Sequence, residues 1–208
     1  MRTGQNGPVP ARVIVLAGPS GAGKSRLAER LDLPVLRLDD FYRDGDAEGL
    51  PRITEGPNAG MVDWDDPGSW CLEDALAALD QLCRTGECQV PDYDISTSRR
   101  VGTRHLDLRG AELFVAEGIF APDVVAGCRT AGLLAAAYCV TQHPLVTFWR
   151  RLSRDLRERR KPPLVLLARG WSLMRAQGRV VERAVGMGCR PATGDRAFAE
   201  LCEFLPVG

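Results

Sequence analysis

With 208 residues, 27 basic and 27 acidic side chains and 45% hydrophobic residues, the chain is long enough for one domain with a sizeable core and carries no formal net charge. Without a bulk field there is no reason to expect nucleic acid or a membrane surface as a partner, so any charged ligand must be met at a local site. The longest apolar runs, such as LLAAAYCV, are far too short to cross a bilayer, and the start MRTGQNGPVPARVIVLAG lacks a secretory signal, which predicts a soluble protein of the cytoplasm.

The first element is Val13 to Ala17, a continuous apolar and largely β-branched run that suits a parallel strand buried on both faces. It leads into Gly18-Pro19-Ser20-Gly21-Ala22-Gly23-Lys24-Ser25, the complete G-x-x-x-x-G-K-[ST] spacing, and then into RLAERL with helical periodicity. Glycines at this spacing permit a loop whose backbone N–H groups, from Gly18 to Gly23, face inward around a phosphate chain, and the helix start adds its positive dipole end. Of the 27 basic residues only Lys24 and Lys161 are lysine, and one of them fills the slot that reaches the β and γ phosphates of ATP. Ser25 stands where a hydroxyl holds Mg2+. Neither lysine lies in an Asn-Lys-x-Asp stretch, which argues against a GTPase and leaves a small-molecule kinase, an ATPase motor or a nucleotide-binding regulator without turnover.

PVLRL is the second predicted strand, ending at Asp39 in the run DDFYRD. Carboxyl ends of parallel strands line the ligand crevice of doubly wound sheets, so Asp39 is placed to accept a hydroxyl proton or to ligate magnesium; a helix cap over core aromatics accounts for the pair equally well. DWDDP, residues 63–67, reads as a turn before a helix capped by Ser69, and residues 70–85 as an amphipathic helix stopped by Gly86. CQVPDYD, a polar turn ISTSRRVG and TRHLDL predict a hairpin over about 87–109, in which Tyr93 is an ordinary ribbon tyrosine or a ligand contact. ELFVAEGIF is a strand closed by Glu117, either a turn or a hard oxygen donor for Mg2+, and LLAAAYCV is a further strand.

LVTFWRRLSRDLRERRK opens as a helix after Pro144, with basic residues round more than one face and pairs such as Arg154 with Glu158 that a solvated helix would carry. Beyond Pro162, an amphipathic helix, a loop GMGCRPATGD and a short final helix RAFAELCEFL are expected. Residues 162–208 are assigned to packing, with a homo-oligomer contact left open. Seven cysteines, an odd number without CxxC spacing, are expected to be reduced thiols.

The Walker loop followed by strand-end DDFY resembles the Asp-x-Phe-Tyr signature of uridine kinases, within the uridine kinase and phosphoribulokinase family. DWDDP, PDYD at 91–94, EGI at 117–119 and RRLSRDLRERRK at 150–161 follow in the family's order. The resemblance implies a single α/β P-loop kinase domain, with a central parallel sheet, a hairpin insert and a helical lid over about 150–161, that uses ATP and Mg2+. It implies Asp39 as catalytic carboxylate, Ser25, Asp39 and Glu117 at the metal, and Asp65 on the ribose hydroxyls. It further implies Tyr93 and Arg151 on the substrate, with Arg154, Arg159 and Lys161 over the phosphates. The acceptor would be the 5'-hydroxyl of a pyrimidine ribonucleoside; the runner-up acceptor is another hydroxylated metabolite, a sugar phosphate or a pantothenate-like compound. One departure concerns the base: the family's base-contacting histidine falls here at Thr97 or Ser98.

Overall fold

The computed structural model describes residues 10–56, 58–142 and 178–203. Strand β1 (Arg12–Ala17) lies at the centre of a five-stranded, all-parallel sheet. Its side chains alternate between two cores: Val13, Val15 and Ala17 enter one, Ile14 and Leu16 the other, and all five are at most 1% exposed. Burial on both faces is what an unbroken apolar run requires of a strand.

β1 continues through the glycine-rich loop into α1 (Lys24–Leu31). β2 is short, Val35–Arg37, and the chain then makes a 3-10 turn over Leu38–Phe41. The strand therefore stops two residues before Asp39, where the sequence predicted its end. The reason lies in packing: β2 is the sheet edge, paired only to β5, and the three-residue period of the turn sends both Leu38 and Phe41 into the core at 0% and 1% exposure.

A second 3-10 turn, Pro67–Ser69, precedes α2 (Leu72–Thr85). Ser69 does not cap that helix as expected; its hydroxyl donates to the Asp66 carbonyl at 2.7 Å, and the helix waits until Leu72 because Trp70 is extended, its indole N–H reaching the Leu38 carbonyl at 2.7 Å. Gly86, at φ 80°, ends α2 as predicted. The antiparallel hairpin β3 (Glu87–Asp94) and β4 (Arg99–Asp107) follows, with a tighter turn than the sequence suggested, since Arg99, Arg100 and Gly102 already pair with β3.

β5 (Leu113–Glu117), α3 (Ala121–Thr130) and β6 (Leu134–Thr141) complete the next crossover. Helix α4 is described over residues 178–186 and leads to β7 (Arg190–Thr193) and α5 (Gly194–Cys202). The order is β2-β5-β1-β6-β7. GMGCRPATGD, expected to be a loop, thus contains the second edge strand. Its four residues include an arginine and a proline and bury only Ala192, so no alternation announces it. α2 and α3 cover one face of the sheet, α1 and α5 the other. Cys83, Cys88, Cys128, Cys139 and Cys189 are buried free thiols; burial pushes Cys83 and Cys189 up to about 12, well away from reactive thiolates.

Candidate active site

The loop between β1 and α1 needs its glycines. Gly18 has φ 129° and sits so close to β6 that a Cβ would lie 2.4 Å from the Val140 carbonyl oxygen; Gly21 and Gly23 have φ 84° and 101°. The Ala22 N–H closes the loop on the Pro19 carbonyl at 3.1 Å. Lys24 folds back along it, its ammonium donating to the Gly18 carbonyl at 2.9 Å and reaching that of Pro19 at 3.4 Å.

Ser25 and Glu117 are 92 residues apart and meet: the hydroxyl donates to Glu117 Oε1 at 3.0 Å. The sheet makes this contact, since Glu117 ends β5 level with Leu16 of β1 and Arg37 of β2. Asp39, just past the end of β2, accepts from the Ile119 N–H at 3.0 Å, and a Cβ on Gly118 would lie 2.7 Å from the same oxygen. Ser25, Glu117 and Asp39 thus gather at the carboxyl edge of three adjacent strands. Among the described residues no three His, Cys, Asp or Glu side chains cluster tightly enough to hold a metal alone. A hydroxyl with one or two carboxylates fits Mg2+, which takes few protein oxygens and fills its remaining positions with phosphate and water.

Asp40 faces the other way. It is 2% exposed, accepts from Arg104 of β4 at 3.0 Å and has Arg37 at 3.8 Å. Burial raises its pKa above the usual carboxylate value despite both guanidinium groups.

Beside Asp39 stands an aromatic wall. The Tyr42 ring lies 5.5 Å from Trp64, 5.8 Å from Tyr93 and 5.8 Å from Phe120, which stacks on Trp70 at 5.4 Å. Both tyrosine hydroxyls are engaged, Tyr42 donating to the Trp64 carbonyl at 3.0 Å and Tyr93 to that of Arg43 at 3.2 Å. Burial, then the charges of Asp39 and Asp65, raises the Tyr42 phenol well above its ordinary value, so it stays protonated. In DWDDP the Asp63 side chain accepts from the Asp65 N–H at 3.1 Å and Asp66 from the Gly68 N–H at 2.7 Å. Two of the three acids therefore build the turn. Asp65 is exposed and, among the described residues, its carboxylate makes no hydrogen bond.

The hairpin docks on residues 40–46 and on Asp74 of α2 through a seam of charges invisible to local pattern. Arg99 pairs with Asp46 at 2.6 Å, the Arg100 N–H donates to Asp44 at 2.7 Å, Arg100 pairs with Asp74 at 3.0 Å, and Arg104 binds Asp40. A second feature missed in sequence is a cleft of about 100 Å³ between the Walker helix and the start of α5, lined by Ala22, Gly23, Arg26, Gln142, Thr193 and Asp195 among others. Its far wall is Thr193 at the end of the unpredicted β7 and the first residues of α5. Arg151, Arg154, Arg159 and Lys161, expected over the phosphates, lie outside the described residues.

Comparison with known proteins agrees with this architecture. The model of the phosphoribulokinase / uridine kinase family matches residues 13–162. Uridine kinase of Saccharomyces cerevisiae is 27% identical over 151 residues, 69% of this chain and 29% of that protein. Inorganic pyrophosphatase TTM2 of Arabidopsis thaliana is 32% identical over 114 residues, 52% of this chain and 15% of that protein. The chain therefore spans less than a third of the length of either relative. Among solved structures, a candidate fructose transport system kinase from Silicibacter sp. TM1040 superimposes with a TM-score of 0.60 at 18% identity, covering 93% of this chain and 91% of its own. That likeness speaks to the fold. No helix among the described residues is long and apolar enough to cross a membrane.

Proposed function

The chain belongs to the phosphoribulokinase / uridine kinase family, and from that premise we propose that it transfers the γ-phosphate of ATP to the 5'-hydroxyl of a pyrimidine ribonucleoside. The observation that carries the reading is the meeting of Ser25, Glu117 and Asp39 at the end of the Walker loop, beside an aromatic wall. The loop amides and the N-terminus of α1 bind the triphosphate, and Lys24 exchanges the loop carbonyls for the β and γ phosphates. Ser25 and Glu117, with Asp39, hold Mg2+, which offsets phosphate charge when bound. Asp39 takes the proton of the acceptor hydroxyl at a carboxylate oxygen. Its position on the Ile119 N–H orients it without satisfying all its lone pairs.

Asp65 accepts from the vicinal ribose hydroxyls, a task its uncommitted carboxylate suits. The rings of Tyr42 and Trp64, nearly at right angles, offer the base a face and an edge, with the buried Tyr93 ring tilted against Tyr42; the Tyr42 and Tyr93 hydroxyls already donate to main-chain carbonyls. The cleft between Gly23 and Asp195 takes the base of ATP. Arg151, Arg154, Arg159 and Lys161 are proposed to complete the phosphate site, their guanidinium forks and ammonium offsetting charge on the transferring group.

The test is coupled ADP release, with uridine, cytidine, sugar phosphates and pantothenate each supplied as acceptor. Turnover with the pyrimidine ribonucleosides above all others is expected. A preference for a sugar phosphate or pantothenate would move the acceptor while keeping the chemistry, and no ADP from any acceptor would mark a regulator without turnover.

A further inference from the structure

Asp40 is the only charged residue among the described ones that is buried. One of its oxygens accepts from Arg104, 64 positions away on the hairpin, and the other faces Arg37 at the end of β2. The four-residue turn that contains Asp40 also contains Asp39. Leu38 and Phe41 anchor it in the core, and among the described residues it receives hydrogen bonds from the Trp70 indole N–H to the Leu38 carbonyl at 2.7 Å, from the Cys71 N–H to the Phe41 carbonyl at 3.0 Å, from the Ile119 N–H to Asp39 and from Arg104 to Asp40.

We infer that Arg104 is a positioning residue, which through its buried ion pair with Asp40 makes the hairpin fix the turn that presents Asp39 beside Glu117 and Ile119. The inference rests on the reading of Asp39 given above. The other pairs of the seam, Arg99–Asp46 and Arg100–Asp74, have side chains 34–62% exposed and contribute little each. Arg104–Asp40 differs because its carboxylate is 3% exposed, and removing the guanidinium leaves a buried charge without its nearest partner. The turn then has reason to move, and Asp39 moves with it. Hairpin docking and phosphoryl transfer become one event: a hairpin displaced from residues 40–46 also releases the carboxylate.

The test compares wild type with R104M, R104K, R99A and D39N in two measurements. One is steady-state transfer from ATP to uridine; the other is exchange of the Trp70 indole proton followed by NMR, assigned with W70F. In R104M, kcat should fall roughly 10- to 100-fold with the KM for ATP changed by less than about twofold, as expected of a misplaced reacting group. The Trp70 indole proton should exchange faster in the same variant. R104K should recover part of both, and R99A should match wild type. If D39N has lost turnover while R104M keeps wild-type kcat and a protected Trp70, the inference falls alone. If D39N turns over at the wild-type rate, the reading of Asp39 fails and the inference falls with it. Unchanged Trp70 exchange in R104M overturns the inference whichever acceptor is used.

Discussion

The carboxylates of Asp39 and Asp40 are adjacent in sequence and opposite in surroundings, one on the Ile119 N–H at the crevice, the other buried against Arg104. Asp39→Asn keeps shape and loses charge and basicity, so single-turnover transfer at saturating Mg-ATP should slow by about 10²-fold or more. Asp40→Asn should slow transfer much less, because its amide oxygen still accepts from Arg104 and keeps the turn in place, and should lose about 1–3 kcal/mol in a denaturant titration, because the arginine then faces a weaker acceptor. The divergence of the two side chains arises in a 3-10 turn, where successive side chains are about a third of a turn apart. The role of Asp65 has its own test. A 2'-deoxyribonucleoside leaves its carboxylate short of one donor, which should cost about 1–3 kcal/mol in kcat/KM. Equal efficiency for ribo and deoxy acceptors would remove Asp65 from the sugar.

At the scale of elements, the contact between β2 and β5 sets the site. Gly118 follows Glu117, and a Cβ there would meet Asp39 Oδ1 at 2.7 Å and Leu38 Cβ at 2.9 Å. Gly118→Ala should therefore displace the turn and lower kcat by roughly 10-fold, while the KM for ATP, set on the other side of β1, stays within about twofold. The outer edge is held differently. Glu200 of α5 accepts from Tyr138 of β6 at 2.8 Å, from Arg190 of β7 at 3.0 Å and from Arg196 at 2.9 Å. The Tyr138 hydroxyl first, then Arg196, lowers its pKa below the ordinary carboxylate value. A lowered folded-state pKa means stability present above the unfolded value of about 4.3 and lost as pH falls through the folded one. The difference in Tm between wild type and Glu200→Gln should be full at pH 7 and shrink steadily below about pH 4. The strands with apolar runs, β1, β5 and β6, were legible in the sequence because burial leaves a compositional trace. β7 was not, since a four-residue edge strand buries one side chain and owes its place to β6.

For the whole molecule, motif order carried more than any local pattern did. The Walker loop, DDFY and EGI lie far apart in the chain, and a parallel sheet is what brings the ends of β1, β2 and β5 to one edge. The charge seam of β4 with residues 40–46 and Asp74 of α2 escaped sequence reading for the opposite reason: arginines and aspartates look alike in sequence whether solvated or paired, and only the docked hairpin distinguishes them. The cleft beside Gly23 was hidden for want of β7. The most direct test of the account is the product itself: incubate the protein with Mg-ATP and uridine or cytidine and follow 31P NMR. ADP and a nucleoside 5'-monophosphate should form in equal amounts, and both should be lost in Lys24→Ala. ADP without a phosphorylated nucleoside, or phosphate on a 2' or 3' oxygen, would contradict it.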